Sequence, residues 1–367
     1  MPRLLQALPF IGIISLFLYI ANLVVYEALA TIFAVTDTWH LLALGLLLGI
    51  LSGSFIASTI LGMRYYNVFT RAYYLVSAVW IGVLVYLFLG SFVYGVLVMV
   101  PGMPLSGVGE LLMLAALAVS VYGVLHARNI HIKEVEVFLP HLPSVWQGRK
   151  AVWMSDLHLG QLHGPTFARK VVRAVNSLPH DIVFIGGDLY DGTGAPDLHE
   201  LTAPLKELSA PLGTYFVTGN HEEFGDGSAF IAAVRAAGMR PLIDEMVEVD
   251  GLQLIGVDYH NGSDKENFKK ILSGLSIQPN KPSILLKHEP KDLDVAHDAH
   301  ISFQISGHTH RAQMWPLGYI AQLVYKGYAY GLKKMGETQV YTSSGTGSWG
   351  PPMRVGTNGE IVVFTFK

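Results

Sequence analysis

Four long apolar stretches occupy the first third of the chain, at residues 10–35, 39–61, 73–100 and 106–126. Each exceeds the roughly 20 residues that a helix needs to cross the hydrocarbon core of a bilayer. The helices of a soluble bundle would show a polar face, and these stretches are apolar all round. The pattern therefore predicts a domain of four transmembrane spans over residues 1–126 and favours it over a buried soluble bundle.

Charged residues become frequent after residue 127, where short apolar runs alternate with amphipathic segments. Residues 127–150 are predicted to be a linker and a first strand, because polar and apolar residues alternate from His131 to Phe138. Residues 151–367 are predicted to form one domain in which sheets are covered by helices. The change in charge marks the boundary between the two domains.

Composition narrows the choice of function. The net charge of −3 argues against a general nucleic-acid binder, which usually has a basic stripe, so no nucleic-acid partner is expected. The chain has no cysteine, and this excludes disulfides and thiolate metal sites. Any metal site must therefore use nitrogen and oxygen ligands.

Basic residues near the apolar stretches predict an orientation. Arg3 precedes the first stretch, Arg64 and Arg71 lie between the second and third, and Arg128 and Lys133 follow the fourth. Loops rich in Lys and Arg stay in the cytoplasm. We therefore expect a multi-pass protein of the inner (cytoplasmic) membrane, with both termini and the C-terminal domain in the cytoplasm.

Residues that commonly bind metals follow five of the predicted strands, in short turns that are often rich in glycine. They are Asp156, His158, Asp188, Asn220, His288, His308 and His310. In layered folds, sites form where loops leave the carboxyl ends of strands. Carboxylate and imidazole without sulfur suit manganese, iron, zinc or magnesium. The sequence predicts two divalent metal ions here, and we favour manganese.

These turns also resemble a known family. Asp156-x-His158, Gly187-Asp188-x-x-Asp191-Gly192, Gly219-Asn220-His221-Glu222, His288 and Gly307-His308-x-His310 match the motifs of calcineurin-like metallophosphoesterases. The resemblance covers about residues 130–367 and is nearest to a membrane-anchored bacterial branch that includes UDP-2,3-diacylglucosamine pyrophosphatases. It implies a layered α/β fold, a β-sandwich flanked by helices, which here would follow the four-helix transmembrane domain.

The resemblance also implies a role for each motif residue. Asp156, His158 and His310 would hold one metal, Asn220, His288 and His308 the other, and Asp188 would bridge them. A water shared by two metals ionises far more easily than bulk water, and the hydroxide would attack phosphorus. His221 would protonate the leaving group or stabilise the phosphoryl group, and the carboxylate of Asp191 would orient His221.

Four further residues are candidates for contact with substrate. His163 and His260 lie in loops after strands, and Arg354 carries a guanidinium that matches phosphate oxygens. Arg311 stands where relatives in the membrane-anchored branch often have glycine. Each has a structural alternative, such as a salt bridge for Arg354 or a solvent-exposed position for Arg311.

The function predicted from the sequence is cleavage of a phosphoester or pyrophosphate bond by a membrane-embedded two-metal hydrolase. Membrane lipids are expected partners, and a lipid-linked substrate at the cytoplasmic face is favoured because confinement at the bilayer raises the encounter rate. One alternative is a soluble phosphodiester or nucleotide substrate. Another is a non-catalytic sensor or scaffold with a structural metal site, which the complete ligand set and His221 argue against.

Overall fold

Four long apolar helices and two six-stranded sheets make up this computed structural model. It describes residues 2–192, 197–224 and 227–367, and for residues 2–14 and Phe224 it describes the backbone alone. Two units are distinguished. The helical unit comprises Met1–Gly62, Asn67–Leu125 and Gly350–Met353, and the sheet unit comprises Met63–Tyr66, His126–Trp349 and Arg354–Lys367.

The apolar stretches form helices α1 (Pro2–Ile32), α2 (Thr38–Arg64), α3 (Val68–Val98) and α4 (Val108–His126). All four are long and apolar enough to cross a membrane. The prediction of four long apolar helices is confirmed, although α1 begins nearer the N-terminus than expected. At the start of α3, the Asn67 side chain accepts hydrogen bonds from the backbone N–H groups of Phe69 and Thr70, a cap that fixes where this helix begins.

Hydrogen bonds between small or polar side chains connect the helices of the helical unit. Asn22 Nδ2 donates to Ser52 Oγ at 2.9 Å, and Trp80 Nε1 donates to the same oxygen at 3.2 Å. Ser58 Oγ lies 2.6 Å from Ser77 Oγ. Lipid provides no hydrophobic drive for apolar helices to associate, so such bonds and close packing hold transmembrane helices together.

The sheet unit contains twelve strands and seven further helices within the described residues. The strands are β1 (Ile130–Val137), β2 (Lys150–Met154), β3 (Ile182–Ile185), β4 (Thr214–Phe216), β5 (Arg240–Pro241), β6 (Glu245–Val249), β7 (Leu252–Gly256), β8 (Ser283–Leu286), β9 (Phe303–Ser306), β10 (Gly331–Met335), β11 (Thr338–Thr342) and β12 (Gly359–Phe366). The helices are α5 (Pro165–Asn176), α6 (Leu198–Thr202), α7 (Gly227–Ala236), α8 (Tyr259–Gly262), α9 (Lys265–Gly274), α10 (Leu293–Asp298) and α11 (Gly318–Val324).

Both sheets are mixed. The first has the order β1-β12-β2-β3-β4-β5, and its strands are parallel except where β12 pairs with β2. The second has the order β10-β11-β9-β8-β7-β6, with antiparallel pairs at its two edges and parallel strands between them. The carboxyl ends of β2, β3 and β4, and of β8 and β9, therefore lie at one edge of their own sheets.

The two sheets pack face to face. Side chains from both, such as Trp153, Phe184, Leu254 and Phe303, form one buried apolar cluster. The outer face of the first sheet packs on α5 and α7, and that of the second packs on α9 and α10. Because both of its faces are buried, β3 is apolar at every position. The predicted β-sandwich flanked by helices is confirmed.

Several elements were not predicted from the sequence, among them β5, β6, β10 and α11. β5 has two residues, and β6 and β10 are edge strands whose side chains are mostly half-buried or exposed. Short edge strands with neither face fully buried lack the alternation that reveals a strand. α11 lies in an apolar run whose side chains the structure leaves exposed.

Candidate metal centre

The predicted donors gather at the carboxyl ends of five strands. Among the described residues, three sets of side chains each place one possible ligand atom per residue within 4.8 Å of one another. The first set is Asp156, His158 and His310, and the second is Asp188, His288 and His308. A third set, His158, Asp191 and His221, shares His158 with the first. Residues far apart in the sequence thus meet in one buried cluster.

The first set offers two facing imidazoles and a carboxylate. His158 Nε2 lies 3.0 Å from His310 Nε2, and Asp156 Oδ1 lies 3.6 Å from the same His310 nitrogen. Burial, reinforced by neighbouring His221 and Arg354 respectively, holds the pKa values of His158 and His310 well below the usual range. Both rings are therefore neutral, and a neutral imidazole is the form that binds a cation.

The second set is joined by an amide oxygen. His308 Nδ1 lies 2.8 Å from Asn220 Oδ1 and 3.2 Å from His288 Nε2. The His288 ring is oriented by its other nitrogen, since Nδ1 donates to the Gly186 carbonyl at 2.7 Å. Such a bond fixes the tautomer and turns Nε2 toward the cluster. Burial and the charge of His288 lower the pKa of His308 to about 4, so this ring is neutral.

Asp188 belongs to the second set and also faces the first. Its Oδ2 is 3.2 Å from His288 Nε2 and 3.9 Å from His158 Nε2, so one oxygen faces nitrogens of both. Burial alone would raise the pKa of Asp188, but His288 and His221 hold it well below its usual range. Burial opposes the charge on His288, yet Asp188 and Asp156 raise its pKa to about 10. A divalent cation binding here would displace that proton.

The donor chemistry fits divalent cations. Two carboxylates, one amide oxygen and four imidazoles converge, which suits hard or borderline ions such as manganese, iron, zinc or magnesium. The side chains of Asp156, Asp188 and His288 are almost wholly buried. Buried charges of this kind are found paired or bound to metal.

The backbone at five of the seven donors is in the left-handed region. The φ angles are 55° at Asp156, 49° at His158, 50° at Asp188, 68° at His308 and 48° at His310. Each such residue other than glycine costs on the order of 1–3 kcal/mol and persists only when its surroundings enforce it. The loops therefore hold these side chains in place at a cost to stability, as is common at functional sites.

Two glycines let the loops approach each other closely. A Cβ on Gly219 would lie 2.2 Å from Asp188 Oδ1, and a Cβ on Gly187 would lie 2.6 Å from the Gly219 backbone nitrogen. Gly187 also has a φ of +86°, which side-chain-bearing residues rarely adopt. A larger residue at Gly219 would collide with Asp188, and one at Gly187 would collide with the backbone of the Gly219 loop.

Comparison with known proteins agrees with a metal centre at these residues. The family model for calcineurin-like phosphoesterases matches residues 150–312. A metallophosphoesterase of Aquifex aeolicus is 30% identical over 264 residues, which cover 70% of this chain and 98% of that protein. The chain belongs to the calcineurin-like phosphoesterase family.

Other relatives of this phosphoesterase have additional sequence. A bovine transmembrane protein with metallophosphoesterase domain is 38% identical over 263 residues, or 66% of this chain and 58% of the relative. An uncharacterized metallophosphoesterase of Campylobacter jejuni is 31% identical over 244 residues, or 65% of this chain and 64% of the relative. The chain thus matches about three fifths of the length of these two relatives. The four apolar helices and the name of the bovine relative indicate a membrane protein.

One residue that the sequence analysis left without a role connects two of the phosphoesterase loops. The buried Glu222 carboxylate accepts hydrogen bonds from the backbone N–H groups of Asp188 at 2.9 Å, Gly219 at 2.7 Å and Tyr190 at 3.1 Å. Burial, and then the charge of Asp188, raise the pKa of Glu222 to about 7. The fourth position of the Gly-Asn-His-Glu motif was the available signal for this role.

His221 is oriented by a different atom from the one predicted. Its Nδ1 lies 2.7 Å from the backbone carbonyl oxygen of Asp191, whereas the Asp191 carboxylate is 3.9 Å from the same nitrogen. The shorter distance is within hydrogen-bonding range and the longer one is not. The His221 ring lies edge-on to His158, with centroids 4.5 Å apart, and 5.6 Å from the Trp349 ring.

The placement of Arg354 favours a structural role over contact with substrate. Its side chain is 1% exposed, and its guanidinium donates to the carbonyl oxygens of His310 at 3.1 Å and Gly347 at 2.6 Å. Burial lowers the pKa of Arg354 to about 10. Because the guanidinium is enclosed and bound to backbone carbonyls, it supports the His310 loop. The sequence could not reveal this burial.

The other three candidates for substrate contact lie in different surroundings. The Arg311 guanidinium carbon is 4.6 Å from the centre of the Tyr330 ring. His163 Nε2 lies 3.1 Å from Ser348 Oγ. The His260 side chain is 71% exposed, and its Nδ1 lies 3.5 Å from Glu223. A role for these three residues in substrate binding stays a prediction.

Proposed function

We propose that this protein is a membrane-embedded hydrolase that uses two divalent metal ions to cleave a phosphoester or pyrophosphate bond. One observation carries the proposal: Asp188 Oδ2 lies 3.2 Å from a nitrogen of one donor set and 3.9 Å from a nitrogen of the other. A shared carboxylate flanked by two sets of imidazoles is the arrangement that two neighbouring cations require. Membership of the phosphoesterase family supports the same reaction class.

Each donor then has a proposed role. Asp156, His158 and His310 would hold one metal, Asn220, His288 and His308 the other, and Asp188 would bind both. When bound, the two ions supply a Lewis acid for the phosphoryl oxygens and acidify a water. The donor set favours manganese, iron, zinc or magnesium, of which we propose manganese.

His221 would hold and move a proton. A carbonyl oxygen only accepts hydrogen bonds, so the contact to Asp191 requires a proton on His221 Nδ1. Exchange with a substrate must then take place at Nε2. A protonated Nε2 beside the cluster would donate to the leaving oxygen as it departs.

The substrate that we propose is lipid-linked, and UDP-2,3-diacylglucosamine and its relatives in the membrane-anchored branch are one such class. Four helices suited to a bilayer hold the chain where such substrates are concentrated. The distribution of Lys and Arg supports a sheet unit on the cytoplasmic side of the inner membrane. Arg311, which stands next to His310, would add positive charge for the phosphate groups.

The test uses full-length protein in detergent or nanodiscs with manganese. The substrates compared are bis-p-nitrophenyl phosphate, UDP-2,3-diacylglucosamine and a phospholipid. We expect wild-type protein to cleave the lipid-linked compound most efficiently. Asp188→Asn should reduce turnover of every substrate by about 10³-fold, because it weakens both metal sites. The matched control is Asp250→Asn, which makes the same chemical change at a carboxylate paired with Arg149 at the surface.

The possible results separate the alternatives. Faster cleavage of the soluble ester than of either lipid would support a soluble phosphodiester as substrate. Protein that binds two metals per chain but cleaves none of the three compounds would support the sensor or scaffold hypothesis. Wild-type activity in Asp188→Asn would contradict the shared-carboxylate centre itself.

A further inference from the structure

An exposed apolar segment follows the last donor loop. The large apolar side chains at residues 315–324 are mostly in solvent, and this set is called the α11 surface. The exposed fractions are 57% for Trp315, 68% for Tyr319, 59% for Ile320, 81% for Leu323 and 65% for Val324. All seven residues of α11 are half-buried or exposed. Large contiguous apolar patches on the surface of a protein mark sites that bind another protein, a membrane or a ligand.

The segment that carries the α11 surface has charge of one sign, although Glu289, Asp292 and Asp294 line the cavity beside Val324, Tyr325 and Lys326. Residues 311–335 contain four basic side chains, at Arg311, Lys326, Lys333 and Lys334, and no Asp or Glu. The three lysines are exposed. Lys333 Nζ lies 3.9 Å from the position of a Cβ on Gly327, so its ammonium is close to the residue after Lys326. An anionic partner fits the basic side chains of this segment.

The types of residue also indicate the partner. Trp and Tyr concentrate at the depth of lipid headgroups, and short helices with Leu, Ile and Val on one side and Lys nearby lie in the bilayer interface. Basic side chains beside them are attracted to anionic headgroups. The chain already carries four helices suited to a bilayer, so a lipid surface is always close to it. These features favour lipid over a second copy of the protein.

The α11 surface is fixed to the loop that carries His308 and His310. Thr309 Oγ1 donates to the Ala329 carbonyl at 2.7 Å, which fixes the segment after α11. Before α11, a Cβ on Gly318 would lie 3.2 Å from the Arg311 carbonyl oxygen, so the helix begins against the donor loop. The Tyr325 ring lies 6.1 Å from the His308 ring. Docking of α11 would therefore set the depth of the metal centre at the lipid surface.

We propose that α11 is a membrane-docking element that inserts Tyr319, Ile320, Leu323 and Val324 into the interface of an anionic bilayer. The exposed lysines contact its headgroups. The proposal of docking depends on the α11 surface and not on the proposed function. Its consequence, delivery of headgroup phosphates to the metal centre, rests on the proposed function. The residues of α11 position the centre and take no part in bond cleavage.

The test exploits the lack of native cysteine. Leu323→Cys and a control, Lys269→Cys on the exposed side of α9, are each labelled with an environment-sensitive fluorophore. The full chain is reconstituted in vesicles of phosphatidylcholine and phosphatidylglycerol. We expect a blue-shifted emission at position 323 and severalfold stronger quenching there by lipids with a nitroxide near the headgroup. Iodide in the buffer should quench position 269 more strongly. Omitting phosphatidylglycerol should weaken the lipid quenching at 323.

Several results would overturn the proposal. One is equal quenching of the two labels by iodide. Another is a blue shift at position 323 that is as large in detergent and is accompanied by self-quenching, because a second copy would then cover α11. Val324→Cys repeats the measurement if Leu323→Cys folds poorly. The fluorescence needs no catalysis, so failure of the proposed hydrolysis and failure of the proposed docking are distinguishable.

Discussion

The metal centre and the α11 surface depart from ordinary protein structure in opposite ways. In the centre, charged side chains such as Asp156 and Asp188 are buried and their backbone is left-handed. At the α11 surface, Ile320 and Leu323 are exposed on a regular helix. Burying charge demands a specific partner for each group, whereas apolar exposure demands only a nonpolar environment. Changes at the centre should therefore affect every substrate, and changes at α11 only those held in a membrane.

The largest effect is expected from His221→Ala. Loss of a positioned general acid typically slows turnover by about 10²- to 10⁴-fold. The fall in kcat should be similar for soluble and lipid substrates whose leaving groups have similar pKa values, while the metal content, measured by mass spectrometry, stays that of wild type. A leaving group with a low pKa, such as p-nitrophenolate, should be affected least because it departs without a proton. Turnover equal to wild type with a poor leaving group would remove His221 from the mechanism.

A smaller effect, again independent of substrate, is expected from Glu222→Gln. The substitution replaces one acceptor oxygen by an amide NH₂ that faces backbone N–H groups of the Asp188 and Gly219 loops. Supports of this kind are worth about 10- to 100-fold in metal affinity or activity. Titration with manganese should show weaker binding, and excess manganese should restore part of the activity. Glu248→Gln, at an exposed ion pair with Lys281, is the matched control and should bind manganese as wild type does.

The double variant Ile320→Asn and Leu323→Asn tests most directly the difference between the metal centre and the α11 surface. Removing two exposed apolar side chains from a bilayer interface should raise KM for a membrane-held substrate by about tenfold or more. The kinetics with bis-p-nitrophenyl phosphate in detergent should be unchanged, and this provides the internal control. Equal losses of activity with both substrates would show that α11 supports the metal centre structurally. The expected difference between the centre and the α11 surface would then be wrong.

The smallest effect is expected from Arg311→Met, which removes charge and keeps length. Partly exposed charges contribute little, so KM for phosphate substrates should rise about two- to fivefold with kcat nearly unchanged. The guanidinium also lies over the Tyr330 ring, and thermal unfolding of the same variant will show what that contact contributes. An unchanged KM for every substrate would leave Arg311 with the structural role alone.

Local signals in the sequence predicted sheets covered by helices and the convergence of their loops, whereas the sandwich arrangement was implied by the resemblance to a family. Apolar runs such as β3 showed buried strands, and donors such as Asp188 stood directly after them. Parallel strands of a sheet have their carboxyl ends at the same edge, so position after a strand was enough to bring these residues together.

Other features depend on contacts that a sequence does not display. Arg354 looked like a phosphate ligand, but its burial against His310 and Gly347 follows from tertiary packing. His221 was assigned to the Asp191 carboxylate, and the backbone oxygen of the same residue is the closer partner. The left-handed conformation of His158 could not be predicted from its residue type, because glycine is the residue that usually indicates such a backbone. α11 was missed because an apolar run of this length is typical of a buried element.

The span of sequence between His158 and His310 has a consequence for folding. The two facing nitrogens belong to residues 152 positions apart, and they come from loops of different sheets. Contacts between such distant residues form late, after the entropy of closing the intervening chain has been overcome. Metal capture should therefore follow assembly of the sandwich: added manganese should leave the refolding rate unchanged and slow unfolding.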